Sequence, residues 1–317
     1  MSMASGAKTT IMVGFQADFE IMATAGFVLP VNSFSLKPER SKGKGATIRN
    51  NINPDEPFDE EINISGQVVV PLDSEAMFFW FKALLGVPST TGSGPYSHVF
   101  KLGNDRPFLT IENKFGDLGG SKPINRFESV RTTSFSFGTG EKGERTVTIG
   151  LAAAAQSWET TSFDASPTVI NMKRLNNRDF VHFNQGGSQL AIALKWDVAV
   201  DFDVDTDTDR PLHLKGSLGG MADGVASVNW NATFQFKDCT QLDLADAATE
   251  VSLEAIMEKG VGARLKVLSP AAQYHVTGPE LSGPKGTQLP MQATAYYTDA
   301  TEGTALQITL TNTYANA

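Results

Sequence analysis

The chain spells one order of elements twice, the second time roughly 160 residues after the first, close to the size of a single domain. The first half opens with a strand over VNSFSLKP (31–38), a long polar loop (39–61), a strand over INISGQVVVPL (62–72) and a helix over DSEAMFFWFKALLG (73–86). The second answers with a strand over QLAIALKWDVAVDFDVD (189–205), a polar loop (206–226), a strand over SVNWNATFQF (227–236) and a helix over LADAATEVSLEAIMEKG (244–260). Extended pieces follow, YSHVFKLG and FLTIENKFG in one half, ARLKVLSP and AQYHVTGPEL in the other, and each half ends on a hairpin. The two endings, GEKGERTVTIGLAAAA and TEGTALQITLTNTYANA, set a Gly-centred turn before strict alternation. That alternation puts Val147, Ile149 and Leu151, or Leu306, Ile308 and Leu310, on one face of a strand. The expected fold is therefore mainly β: two tandem β-sandwich or barrel domains, each with one flanking α-helix.

The expected bounds are 1–155 for the first domain, 156–187 for a linker or bridging segment, and 188–317 for the second. The stretch QSWETTSFDASPT is polar, holds a proline and has little periodicity, as a connecting segment does. The first helix has clear stop and start signals: Asp73 and Ser74 as caps, Gly86 just past its end and Pro88 to prevent continuation. Its apolar stripe, Met77, Phe78, Phe81, Leu84 and Leu85, would pack on a sheet. Phe79 and Trp80 fall on the other side, which leaves two readings: a helix buried all round, or a far face that meets a neighbouring subunit.

Charge and cysteine content exclude several classes. The formal net charge of −9 argues against a protein that holds nucleic acid through a large phosphate-neutralising surface. Cys239 is the only cysteine, so no internal disulfide can form, and it is expected to be a small buried residue. No stretch approaches the roughly 20 apolar residues of a membrane helix. The N-terminal MSMASGAKTTIMVGFQADFE lacks a basic region followed by an apolar core, so no signal peptide is expected.

The motifs that could carry chemistry fail on context. Gly138, Gly140 and Gly143 have G-x-G-x-x-G spacing, but a dinucleotide site needs a helix N-terminus directly after the glycines. Strand patterns flank them here, so they form a hairpin turn. Asp201, Asp203, Asp205, Asp207 and Asp209 alternate along DFDVDTDTDR, yet Thr206 and Leu212 stand where a calcium loop needs Gly and Glu. On a strand they would share one face: a solvated edge that discourages aggregation, with an irregular divalent-metal site as the other reading. His98, His182, His213 and His275 are isolated, and Asn231 in NAT has no secretion signal to give it meaning. No catalytic, metal or cofactor constellation emerges, and no enzyme is expected.

Specific stretches carry a likeness to a known family. They are NSFSLKPER before a long polar loop, NISGQVVVPLDSEAMFFWFKALLG, GPYSHVFKLGNDRPFLTIE (a Y-x-H-x-F … P-x-x-T-I-E segment) and the closing QATAYYTDATEGTALQITLTN. In their order and spacing they resemble the two-domain tail tube proteins, or major tail proteins, of long-tailed bacteriophages. The likeness covers most of residues 10–155 and, more loosely, 185–312. It implies a structural virion protein of β-sandwich domains, assembled in the host cytoplasm into stacked rings that form a hollow tail tube. Such a tube conducts DNA and accommodates the tape measure protein. With two domains per chain, three chains would make a ring of six similar positions.

Under that resemblance, Asp201 to Asp209 become candidates for an acidic lumen or inter-ring surface that keeps DNA off the wall. The loop carrying Arg40, Lys42, Lys44 and Arg49, then Asp55, Glu56, Asp59, Glu60 and Glu61, has two readings. It is a solvated mobile loop, or one that orders on meeting the next ring, with opposite charges pairing across the junction. The competing class is a β-sandwich module that binds carbohydrate or a host surface, with Trp196 and Trp230 as its aromatic platform.

Overall fold

The computed structural model describes residues 5–48, 52–103, 105–116, 118, 122–139, 142–214, 216–279, 281, 283–284, 286–298 and 302–315. The first half holds β1 (Thr9–Phe15), β2 (Phe27–Val28), β3 (Ser33–Phe34), β4 (Lys37–Gly43), β5 (Phe58–Pro71), α1 (Met77–Leu85), β6 (Ser89–Thr91), β7 (Tyr96–Lys101), β8 (Leu109–Phe115), β9 (Ile124–Thr139), β10 (Thr146–Ala152) and β11 (Ala155–Glu159). Then come β12 (Thr168–Val169), β13 (Phe180–Gln185), β14 (Ser188–Gln189), β15 (Ala193–Asp201), β16 (Ser227–Gln235), α2 (Thr240–Asp246), β17 (Val251–Glu258), β18 (Arg264–Tyr274), β19 (Gln288–Ala295) and β20 (Gln307–Asn312). The chain is mainly β, as its alternation requires.

The two halves share a pairing pattern, strand for strand. In the first, β1 pairs with β8, β8 with β9, β9 with β10 and β11, β10 with β5, and β5 with β4. In the second, β13 pairs with β17, β17 with β18, β18 with β19 and β20, β19 with β16, and β16 with β15. Every one of these pairs is antiparallel. Even an irregularity recurs: the register slips between Leu109 and Ile111 against β9, and between Val251 and Leu253 against β18. A bulge re-aims its strand, and both of these sit where a long strand leaves one partner for another.

This pattern corrects the alignment of the two endings. QATAYYTDATEGTALQITLTN is not a hairpin: β19 bonds to β16 and β18, while β20 bonds to β18 and to β7 of the first half. By pairing, the partner of TVTIGLA is QLPMQATA, and the partner of QITLTN is AQSWE. Residues 156–159, read from sequence as the start of a linker, are thus a strand beside β9. Similar alternation misled here because any half-buried antiparallel strand shows it, whatever its place in the sheet.

Three further sequence expectations change. The second helix is not 244–260. α2 ends at Asp246, Ala248 turns to φ 46°, and Val251, Leu253, Ala255 and Met257 are buried alternately along β17. The loop at 39–61 is largely a hairpin, because β4 and the start of β5 pair from Lys37–Ser65 to Gly43–Phe58. The strand at 189–205 ends at Asp201.

The main apolar core runs through both halves, from Val13 and Leu29 across α1 to Leu306, Ile308 and Leu310. Every residue of α1 except Lys82 is buried. A helix apolar all round belongs inside a core. Phe79 lies against Phe27 (ring centroids 4.4 Å apart) and Tyr314 (5.7 Å), and Trp80 is fully buried. The chain's own β2 and C-terminal segment cover the face that a neighbouring subunit would need, which corrects the interface reading of Phe79 and Trp80. Phe79→Ala is expected to destabilise the unassembled chain by about 3–5 kcal/mol, read from its urea midpoint.

The N-cap of α1 is Ala76, with no side-chain cap, in place of the expected Asp73 and Ser74. Asp73 closes the turn just before it, its Oδ1 accepting from the backbone N–H groups of Glu75 and Ala76 at 2.6 Å each. Oδ2 is buried and has no partner among the described residues, and burial raises the carboxyl to about 6. The folded chain therefore holds this proton between the usual 3.8 and about 6. Through this group, stability falls as pH rises across that window and stays lower above it. Asp73→Asn keeps the Oδ1 acceptor. It is expected to remove that slope and to stabilise the chain at pH 7 by on the order of 2 kcal/mol, measured by urea unfolding from pH 4 to 7.

Candidate functional site

The strand β9 belongs to two ladders. Its first part, Ile124–Val130, lies between β8 and β11; its second, Arg131–Thr139, lies between β10 and β15. Ser129 at φ 50° marks the bend. The β9–β15 ladder joins the halves edge to edge, Trp196 opposite Thr139 through Asp201 opposite Ser134. The result is one antiparallel row, β4–β5–β10–β9–β15–β16–β19.

One face of that row is the core; the other is open and built mostly from short polar groups, with Lys195, Asp197 and Asp201 as its charges on β15. A shallow concavity on it is lined by Gln67, Ser134, Ser136, Thr148, Asp201 and Asn229. Asn231 and Gln292 extend the same kind of surface across β16 and β19, and Asn231 donates to the Asp197 carboxylate at 2.7 Å. This face was missed in the sequence, although its signal was there. The outward positions of SFSFG, TVTIG and SVNWNATFQ are Ser, Thr, Gly, Asn and Gln, where ordinary surface strands carry Lys and Glu.

The aspartate series does not form one acidic stripe. Asp201 ends β15, and Asp203 to Asp209 belong to the connection that follows. Asp205 turns inward on its own backbone, accepting from the N–H groups of Asp207 (2.9 Å) and Thr208 (3.0 Å) and from the Thr208 hydroxyl. Those bonds, the hydroxyl's first, lower its carboxyl to about 2. Asp201 and Asp203 serve the same turn chemistry, Asp201 accepting from the Asp203 N–H at 3.0 Å while Asp203 takes φ 48°.

The connection then folds over the first half and is clamped twice. Arg210 donates to the carbonyls of Ile62 (2.9 Å), Gly216 (2.6 Å) and Thr206 (3.0 Å) and to the Asn63 side chain, 3.2 Å from the Glu61 carboxylate and 3.9 Å from that of Asp207. Asp223 receives both Arg106 and Arg131, two buried guanidinium groups lying over Phe202 and Phe108. Between the clamps Leu218 and Met221 pack on Ala152 and Ala154. Arg210 thus brings together two candidate segments that the sequence separates, Glu61 of the charged loop and Asp207 of the aspartate series.

The charged loop projects. The pairing with β10 begins at Ser65, and Ile64 and Ile62 still bond Ala153 and Gly216, so β4 and residues 58–61 of β5 form a two-stranded ribbon that extends past the sheet. Asp59 pairs within the ribbon, with Lys42 and, at 3.6 Å, with Arg40, and Glu60 accepts from the Ser41 hydroxyl. For Arg40, Lys42 and Asp59 the opposite charges therefore already meet inside the chain. Lys44, Asp55 and Glu56 lie toward the tip, where Ile48 and Ile52 are fully exposed; Arg49 lies outside the described residues.

The remaining sequence candidates are structural. His98 is buried between the Thr90 hydroxyl (2.8 Å) and Asn312 Oδ1 (2.9 Å), and burial lowers its pKa. Gly143, at φ 101°, lies in the turn between β9 and β10, as a hairpin requires; Gly140 lies outside the described residues. Cys239 is exposed just before α2, contrary to the expected buried position. Trp196 and Trp230 are buried, their rings 5.5 Å apart, with Trp230 Nε1 donating to Ser269 Oγ at 2.8 Å. Neither can serve as an exposed aromatic platform. Among the described residues no group of three His, Cys, Asp or Glu could hold a metal ion, and no helix is long and apolar enough to cross a membrane.

The chain is β-rich, with an open sheet face of short polar groups and a projecting ribbon. Comparison with family models gives its identity: the chain belongs to the phage tail tube protein family, whose model matches residues 6–295. It is a structural component of the phage tail, in a family that assembles with itself and with other tail proteins. Comparison with curated proteins gives no match.

Asp223→Ala would leave two buried guanidinium groups unpaired, a loss of about 3–5 kcal/mol where the pair is well buried. Because Asp223 is one-third exposed, the smaller end is expected. The loosened connection should be cut by trypsin after Lys215 at least tenfold faster than in the unaltered chain, the Arg210–Pro211 bond being resistant to trypsin.

Proposed function

We propose that three copies of this chain close into a ring of six similar positions, and that such rings stack into the hollow tube through which phage DNA passes into the host. The observation that carries this reading is the paired architecture of the chain. Two halves with the same strand pairing are already joined edge to edge through β9 and β15, as neighbouring positions in a ring would be. Tandem duplication of one domain accounts for the shared pattern. The polar face of the row lines the channel, which also accommodates the tape measure protein during assembly in the host cytoplasm.

The chemistry of that face suits passage better than binding. DNA presents a phosphate charge about every 1.7 Å of axis, so a wall rich in lysine and arginine would hold it. Hydroxyl and amide groups keep a hydrated surface with no strong site, and on β15 Asp197 and Asp201 outnumber Lys195, a small acidic excess that acts within about 8 Å at physiological salt. Of the aspartate series only Asp201 lies on this face; the remainder serves the connection. The ribbon reaches along the tube axis to the next ring, where burial of Ile48 and Ile52 would supply the apolar contact that a two-stranded ribbon lacks alone.

Electron microscopy of the purified protein at rising concentration is the direct test. Tubes with a regular axial repeat and end-on rings of six similar lobes are expected; a stable monomer that binds glycans would overturn the reading. Ile48→Asn with Ile52→Asn should weaken tube growth, and unchanged polymerisation by light scattering would remove the ribbon from the ring-to-ring contact.

A further inference from the structure

The internal junction between the halves allows the junction between chains to be written residue by residue. Through their paired neighbours, Thr132 of the first half corresponds to Tyr274 of the second, each lying opposite the matching strand, at Leu151 and Ala293. Leu151 and Ala293 lie in turn opposite Gly66 and Trp230. Counting on along the strands, Phe135 and Phe137 of β9 correspond to Thr277 and Pro279, just past β18. On the other side, Val200 of β15 lies opposite Val228 as Pro38 of β4 lies opposite Ile64, so Val200 corresponds to Pro38 and Val198 to Leu36. Inside the chain Val200 faces Phe135 and Val198 faces Phe137.

Both counterparts stand open. The Ser35 N–H donates to Gln67 at 2.9 Å, so in an antiparallel ladder the next residues, Leu36 and Pro38, turn their backbone groups to the outer edge. No strand among the described residues pairs with that edge. The segment after β18 follows β19 as far as the His275 N–H, which donates to Gln292 at 2.8 Å; beyond it Val276, Thr277 and Gly278 are exposed.

We infer that the outer edge of residues 35–39 receives residues 274–279 of a second copy, in the register of β15 on β9, through a ladder lacking two N–H donors. The inference rests on the ring reading above. The Phe202 N–H donates to Thr133 at 2.9 Å, so Val200–Phe135 and Val198–Phe137 are the doubly bonded pairs of the internal ladder. Their counterparts are Pro38–Thr277 and Leu36–Pro279, and each contains a proline without an N–H. Each of these pairs keeps one bond of two: Thr277 N–H to the Pro38 carbonyl, and Leu36 N–H to that of Pro279. Proline on an open edge blunts adventitious pairing. The internal junction is thereby permanent, and the junction between chains is weaker, forming when copies are concentrated.

Lys37 and Gly278 correspond to Ala199 and Ser136, a non-bonded pair whose Cα atoms lie about 4.5 Å apart in such a ladder, within disulfide reach. Both positions are exposed, and a Cβ at Gly278 meets nothing within 4 Å. In a Cys239→Ser background, Lys37→Cys chains and Gly278→Cys chains are to be assembled separately and mixed, then oxidised and run on non-reducing gels. Covalent dimers are expected only in the mixture, and chains carrying both cysteines should close into a covalent trimer. Rings or tubes seen by microscopy without cross-links in the mixture would overturn this junction and leave the ring reading standing. Absence of any ring from the unaltered chain would overturn both. Pro38→Ala, which restores one N–H, should lower the concentration needed for assembly about fivefold, the worth of one net hydrogen bond; an unchanged or raised threshold counts against the proposal.

Discussion

The hydrogen-bond ladder between β9 and β15 is the constraint on which the molecule is organised. It turns two sheets into one row, and it can do so because β9 bends at Ser129 and spends its two parts on different neighbours. Had β9 stayed straight, its second part would have remained beside β8, and the halves would lack this edge and keep the β7–β20 ladder between them. The same bend lets α1 lie over the core side of β9, where its four aromatic rings fill the space between layers. The polar open face, the main core and the covered helix all follow from that one joint.

The second half's connection between β15 and β16 depends on it as well. Once β15 lies beside β9, residues 202–224 can only run over the first half, and the two arginine clamps hold them there at Asp223 and around Arg210. The equivalent connection of the first half is held within the chain only at its base, where Glu61, Ile62 and Asn63 meet Arg210 and Gly216. Beyond that it stays paired on itself and projects as a ribbon.

Much of the fold was legible in the residues. Val147, Ile149 and Leu151, and Leu306, Ile308 and Leu310, are buried on one strand face each, as their period of two requires. The stop at Gly86 follows from its backbone at φ 82°, and the failure of the three-glycine motif follows from the strands on either side. The errors share a physical source. Period two identifies a strand and says nothing about its neighbour, so QITLTN was matched to TVTIGL when its true counterpart was AQSWE. Charged residues at 39–61 looked like loop because opposite signs facing each other across a hairpin read as plain polarity in one dimension. The helix over 244–260 failed where Ala248 adopts a positive φ that no propensity announces.

By itself the sequence determined the class of the chain: alternation gives strands, and the order of elements gives a repeat. Tertiary structure alone decided which strands are neighbours, that Phe79 and Trp80 face inward, and that the aspartates serve a folded connection as well as a surface. The physical reason is that backbone hydrogen bonds are identical from one strand to the next. Residue identity can set the face a strand shows, but the choice of partner emerges only when bends, bulges and one shared core are satisfied together.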